Sequence, residues 1–163
     1  MQRTLILTAL SLALLLVQTT IIPHIAIGTI VPDLLLIWIV YLAFTRGQVT
    51  STTAGFFLGV VFDAVSGGDA MLGLSALTKT VAGFLAGYAY SDNKIPQNLS
   101  GIQFPLLLIA VSLVHNLLYF LIFLQGSDIT WNGAIIFYGI PATAYTAAVA
   151  LIPMFAFARH YRT

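Results

Sequence analysis

The sequence predicts an all-α integral membrane protein with six transmembrane helices. Three observations carry that prediction. Of 163 residues, 60% are hydrophobic and only 7% are charged, with a mean hydropathy of +1.00; an ordinary soluble domain carries about 25% charged residues. The apolar residues fall into runs close to the roughly 20 residues that cross a bilayer core of about 30 Å. All Lys and Arg residues except Lys79 fall into loops or tails on one side of the resulting topology. Six Lys or Arg and five Asp, with no Glu, cannot cover a soluble globule of this size. The composition also excludes a disordered chain, a nucleic-acid binder and a large extramembrane catalytic domain. With no Cys there is no disulfide, thiolate metal site, cysteine nucleophile or thiol lipid anchor.

The first span is expected at about 4–22. Arg3 ahead of an apolar run resembles a signal peptide, but Val17-Gln18-Thr19-Thr20 is a poor cleavage site and the apolar stretch resumes beyond it, so a retained helix is expected. Pro23, Gly28 and Pro32 break the following stretch into a bent apolar connector, 21–31. Pro32 and Asp33 suit the start of a second, short span at about 33–45, proline at a first helical position and the acid at the positive end of the helix dipole. Arg46-Gly47 makes a tight turn into a third span, 49–65. Ser66-Gly67-Gly68-Asp69 is a turn cluster before the fourth, 72–90. The polar loop 91–101 leads to a fifth span, 102–124. A short loop leads to a sixth, 133–158, where Pro141 and Pro153 are expected to kink the rod. Six spans place both termini with Arg3, Arg46, Lys94, Arg159 and Arg162 on one side, and Asp69 and Asp128 on the other. That positive-inside pattern predicts cytoplasmic termini.

Gly55, Gly59 and Asp63 share one face of the third span, and Ser75, Lys79, Gly83 and Gly87 share one face of the fourth. Both faces are small-residue stripes of the kind that lets helix backbones approach in lipid. Pairing Gly55 with Gly87, Gly59 with Gly83 and Asp63 with Lys79 keeps a constant index sum of 142, with the turn near Met71. An Asp63–Lys79 ion pair is therefore expected. It reads either as a structural pair that fixes the register or as a substrate or proton site, and the matched glycines favour the structural reading.

Ser112, His115, Asn116 and Tyr119 form a polar face on the fifth span. Interhelical hydrogen bonding is the simpler reading, and a proton relay or ligand pocket is the alternative. Asp33 could be catalytic, although helix-start chemistry accounts for it more simply. His24 and His160 are expected at the interface. No His pair has metal-ligand spacing, so neither metal nor cofactor is expected. There is no nucleophile elbow and no phosphate-cradling loop. Trp38, Tyr41, Tyr88, Tyr90, Trp131 and Tyr161 fall near span ends and read as interface anchors.

The stretch from Val31 to Tyr88 resembles the MreD family of bacterial rod shape-determining membrane proteins. The resemblance rests on Val31-Pro32-Asp33-Leu34-Leu35-Leu36, Tyr41, Arg46-Gly47, the Gly-Phe-x-x-Gly-x-x-x-Asp-x-x-Ser-Gly pattern of Gly55, Phe56, Gly59, Asp63, Ser66 and Gly67, and Leu72-Gly73-Leu74-Ser75. It implies a non-enzymatic scaffold of the cell-elongation machinery in the cytoplasmic membrane. It further implies binding to the membrane-anchored protein MreC and, through that complex, association with a RodA-type glycosyltransferase and a class B penicillin-binding transpeptidase in peptidoglycan synthesis. The fold it implies resembles the substrate-binding (S) component of energy-coupling-factor transporters.

A chain with almost no aqueous domain works through helix surfaces, short loops or an internal cavity. Ala9 and Ala13, Ala144 and Ala148, and the connector 21–31 are candidate docking surfaces for a partner, with internal packing as the alternative; self-association is open too. Two other functions compete. One is a substrate-binding subunit of a vitamin transporter. The other is an intramembrane aspartyl hydrolase using Asp33, Asp63 or Asp128, which a nearby Lys79 disfavours by depriving Asp63 of the shared proton a dyad needs.

Overall fold

The computed structural model of the chain describes residues 2–66, 71–90, 99, 101–125 and 130–160. Gly67, Gly68 and Asp69, most of the polar loop with Lys94, Asp128, and the tail residues Tyr161 and Arg162 lie outside the described residues.

The described residues form six helices and no strand. They are α1 (Gln2–Thr20), α2 (Leu34–Arg46), α3 (Gln48–Ser66), α4 (Leu74–Ala86), α5 (Gln103–Phe123) and α6 (131–160). A 3₁₀ turn, Gly87–Ala89, extends α4. Within α6, a π-helical turn at Ile135–Gly139 precedes Pro141. Proline has no N–H to give the preceding turn, and the local widening is the helix's answer to that gap. Three stretches, Gln48–Ser66, Gln103–Phe123 and Trp131–Ile152, are long and apolar enough to cross a membrane. The chain is thus a membrane protein in which full-length helices pack with shorter ones.

The helix α2, only 13 residues long, is the most deeply placed. All but four of α2's side chains are buried, from Leu35 to Phe44 with the exception of Tyr41. One side packs Leu36, Val40, Ala43 and Phe44 against Ala82, Ala86, Phe104, Leu108 and Ala150 of α4, α5 and α6. The other packs Leu35, Trp38 and Leu42 against Leu15 of α1 and Leu58 of α3. Trp38 is therefore a core residue, its indole N–H donating to Ser11 Oγ at 2.8 Å, and not an interface anchor. At 1.5 Å per residue the 13 residues of α2 span about 20 Å. That is about 10 Å less than the bilayer core. If Arg46 sits at one interface, Asp33 at the opposite end of α2 lies well inside the apolar layer.

The α3–α4 hairpin is the closest pair in the fold, and its two small-residue stripes face each other as expected, but in a different register. Gly55 lies against the backbone of Lys79 and Thr80, Gly59 against Ser75 and Ala76, Gly83 against Ser51 and Thr52, and Gly87 against Gln48. These pairs sum to 134 or 135, not 142. The slide is about two helical turns. It arises because each glycine receives the partner's main chain and not another glycine, which brings the axes close at every level. Ser51 Oγ donates to the Gly83 carbonyl at 2.9 Å, and Gln48 Nε2 to the Phe84 carbonyl at 3.0 Å, which pins the register.

A Cβ at Gly59 or Gly83 would collide with main-chain atoms of the facing helix, which cannot swing aside; at Gly139 it would meet nothing closer than 3.9 Å. Gly59→Ala and Gly83→Ala are each expected to destabilise the fold by about 1–3 kcal/mol, the usual cost of overpacking. Thermal unfolding of the detergent-purified protein checks this, with Gly139→Ala melting close to the parent.

Candidate functional site

Asp33 sits just ahead of α2 and caps it, Oδ1 accepting from the Leu36 N–H at 2.9 Å. This first turn draws in four other helices. Lys79 Nζ of α4 donates to Asp33 Oδ2 at 2.5 Å. His115 Nε2 of α5 lies 3.5 Å from the same oxygen. Thr146 Oγ1 of α6 accepts from the Asp33 N–H at 3.1 Å. Gln18 of α1 gives its Nε2 to the Pro32 carbonyl at 3.1 Å and takes the Leu34 N–H on Oε1 at 2.8 Å. Main-chain groups inside an apolar layer need partners from the protein itself, and these side chains supply them.

The expected Asp63–Lys79 pair is therefore corrected: Lys79 pairs with Asp33. The two-turn slide places Lys79 opposite Gly55, about two turns along α3 from Asp63, and its side chain reaches across to α2. Lys79 is only 3% exposed and also lies 5.4 Å from the centre of the Phe62 ring. Asp63, 5% exposed, does something else. Its carboxylate accepts from the main-chain N–H groups of Gly73 at 2.9 Å and of Ser75 and Ala76 at 3.2 Å each. Gly73, at φ 94°, brings no side-chain cap of its own, so the acid at the end of one helix caps the start of the next. The left-handed turn at Gly73 is what allows the three N–H groups to converge.

The polar face of α5 divides. Asn116 Nδ2 donates to Thr143 Oγ1 at 2.9 Å, and Ser112 Oγ lies 3.4 Å from the same hydroxyl, which seams α5 to α6. His115, 5% exposed, turns instead to the ion pair. Its Nδ1 is buried without a hydrogen-bond partner, although the Thr78 carbonyl lies near the ring. Among the motif residues, Pro32 is buried where Gln18 holds its carbonyl, Ser66 ends α3 at the rim of a cavity, and Phe56 faces outward against Phe57. The cavity, of about 750 Å³, lies above the start of α2, with Asp33, Lys79 and His115 in its lining. It is the space that the short central helix leaves. Among the described residues no three His, Asp or Glu side chains converge in a way that could hold a metal ion.

Sequence reasoning missed Gln18 and Thr146, which bond the main chain of α2 directly. Gln18 carried a signal: it is a lone amide in a run of apolar residues, buried at 7% exposure. Thr146 carried none, because a threonine in a membrane helix more often bonds its own preceding turn.

A family model described as the rod shape-determining protein MreD matches residues 1–163. The chain belongs to the MreD family. Membership brings a role in determining rod shape, and the residues that carried the resemblance are those at the start of α2 and in the hairpin: Pro32, Asp33, Gly55, Gly59, Asp63 and Gly73. No curated protein and no solved structure matches the chain.

Breaking a buried pair by removing one partner costs about 3–5 kcal/mol. Asp33→Asn and Lys79→Met are each expected to destabilise strongly. In a double-mutant cycle the Asp33–Lys79 coupling is expected at about 1–3 kcal/mol, while Asp63→Asn and Lys79→Met add to within about 0.5 kcal/mol. Asp63→Asn alone is expected to lose about 0.5–2 kcal/mol, as for a helix cap. Unfolding in a mixed-detergent titration reads all of these.

Proposed function

We propose that this MreD-family chain is a non-enzymatic, six-span scaffold of the cytoplasmic membrane, with both termini in the cytoplasm. In this reading it binds MreC directly, and through MreC it helps organise a RodA-type glycosyltransferase and a class B penicillin-binding transpeptidase in peptidoglycan synthesis. The observation that carries the reading is where the small-residue stripes point. The hairpin glycines are consumed by internal packing, but Ala9 and Ala13 of α1 and Ala144 and Ala148 of α6 are all exposed. Small residues on an outer helix face let another helix approach closely in lipid, where packing and not hydrophobicity drives association. The charged and capping groups support the same view. Asp33 and Asp63 are each committed to their own donors, an arrangement that serves architecture and not a shared-proton dyad. The loops carry the positive-inside charge bias.

A second reading draws on the cavity: a substrate-binding subunit resembling those of energy-coupling-factor vitamin transporters, with its ligand above Asp33 and Lys79. Recovery of an energising ATPase in place of MreC would favour it.

Because the four alanines are exposed, the double variants Ala9→Leu/Ala13→Leu and Ala144→Leu/Ala148→Leu are expected to fold. At least one is expected to cut recovery of MreC in detergent copurification by fivefold or more, about 1 kcal/mol of interface energy, and to turn rods into spheres in cells. Full recovery by both variants, with rod shape kept, would show that the stripes do not dock the partner.

A further inference from the structure

We propose that the cavity above α2 binds an uncharged amphiphile, a molecule with an apolar body and a neutral polar end carrying hydrogen-bond acceptors such as an ester, amide or hydroxyl oxygen. Its volume of about 750 Å³ lies within the range of small-molecule pockets, about 300–1,000 Å³. Its walls are largely apolar, with the rings of Phe62, Tyr119, Phe120 and Phe123 prominent among them. A few ordered waters would satisfy the floor but leave those walls wet.

The floor defines the polar end. An ammonium has three donors, and Lys79 spends one, on Asp33. Ser75, four residues earlier on the same face of α4, is 4% exposed, lines the cavity, and has a hydroxyl that makes no hydrogen bond among the described residues. Asn116 spends its amide hydrogens on α5 and α6 and leaves Oδ1 without a donor. The floor thus offers the remaining Lys79 N–H groups and the Ser75 hydroxyl as donors, with Asn116 Oδ1 as an acceptor beside them, which suits an uncharged group that can accept and, like a hydroxyl or amide, also donate. Its charge is already balanced, because Asp33 neutralises Lys79 at 2.5 Å. A carboxylate or phosphate would add an unpaired negative charge beside Asp33, and an amine would add a positive one beside Lys79; both are costly away from water. A neutral end meets the donors at no such cost.

The cavity lining brings together the ends of α1 and α3, connector residues from Pro23 to Pro32, and the facing parts of α5 and α6. This binding is separate from partner docking, which uses the outward faces of α1 and α6.

The test uses the full chain in phosphatidylcholine nanodiscs. The probes are a diazirine-bearing monooleoylglycerol and a diazirine-bearing oleate. The glycerol probe is expected to label Tyr119 and Phe120, which line the cavity and are partly buried, at least about fivefold more than the outward-facing Ile109 and Val114 of the same helix. Oleate is expected to label them several-fold less. Ala142→Trp, which fills the cavity, is expected to abolish the excess, and Ser75→Ala, which keeps the packing, to lower it by about threefold, the worth of one hydrogen bond. Displacement of the probe by excess N-acetyltryptophanamide assigns the natural ligand to the aqueous side; labelling that resists it assigns a membrane lipid. Labelling at Tyr119 and Phe120 no higher than at Ile109, unchanged by both variants, or stronger with oleate would overturn the proposal.

Discussion

The structure turns on one buried ion pair placed at the start of a helix too short to cross the membrane. Lys79 and Asp33 meet where α2 begins, about 10 Å short of the surface that a full-length span would reach. A lone charge near the centre of a membrane helix costs about 2.5–3.5 kcal/mol on insertion scales, so neither residue is tolerable without the other. The first turn of α2 has an equivalent problem in its unpaired N–H groups, and Asp33, Gln18 and Thr146 answer it from three elements. The position of α2 is thus fixed by chemistry at its end as much as by the packing of Leu35 to Phe44. Its shortness, in turn, creates the cavity.

The ion pair depends on the hairpin beside it. The Gly55, Gly59, Gly83 and Gly87 contacts set how far α4 slides along α3, and that slide decides which acid Lys79 can reach. In the observed register Lys79 reaches Asp33, and Asp63 arrives at the start of α4 to cap it. A glycine-on-glycine register would have paired Lys79 with Asp63 and left the start of α4 without its cap. Close backbone approach, capping and charge pairing therefore agree on one arrangement, as they should in a sequence that specifies a single fold.

Much of this was legible in the sequence. The apolar runs gave the helices to within a few residues, Pro32-Asp33 gave the start of α2, and Gly47, at φ 85°, ends it as the Arg46-Gly47 turn required. The stripes on α3 and α4 correctly announced a tight hairpin. Matching glycine with glycine gives a register about two turns from the observed one, because a glycine's space is filled by whatever backbone lies opposite. A cue to the right answer was present: Asp63 lies near the end of α3, where its own helix dipole disfavours an acid, and so suits the start of a neighbouring helix. The Asp33–Lys79 pair, 46 residues apart and on helices not adjacent in the chain, had no local signature. The outward direction of Ala9, Ala13, Ala144 and Ala148 likewise depended on how the bundle closes.

Together these features describe a member of the MreD family whose interior is held by one buried ion pair, two carboxylate helix caps and a glycine-lined hairpin. The charge pairing beneath that division can be measured directly. Rotational-echo NMR on the reconstituted protein, with ¹⁵N at Lys79 Nζ and ¹³C at the Asp carboxyls, reports which acid the ammonium touches. Coupling to Asp33 within about 4 Å, the reach of an ion pair, with none to Asp63, is the expected result; coupling to Asp63 in place of Asp33 would contradict the arrangement of the whole bundle.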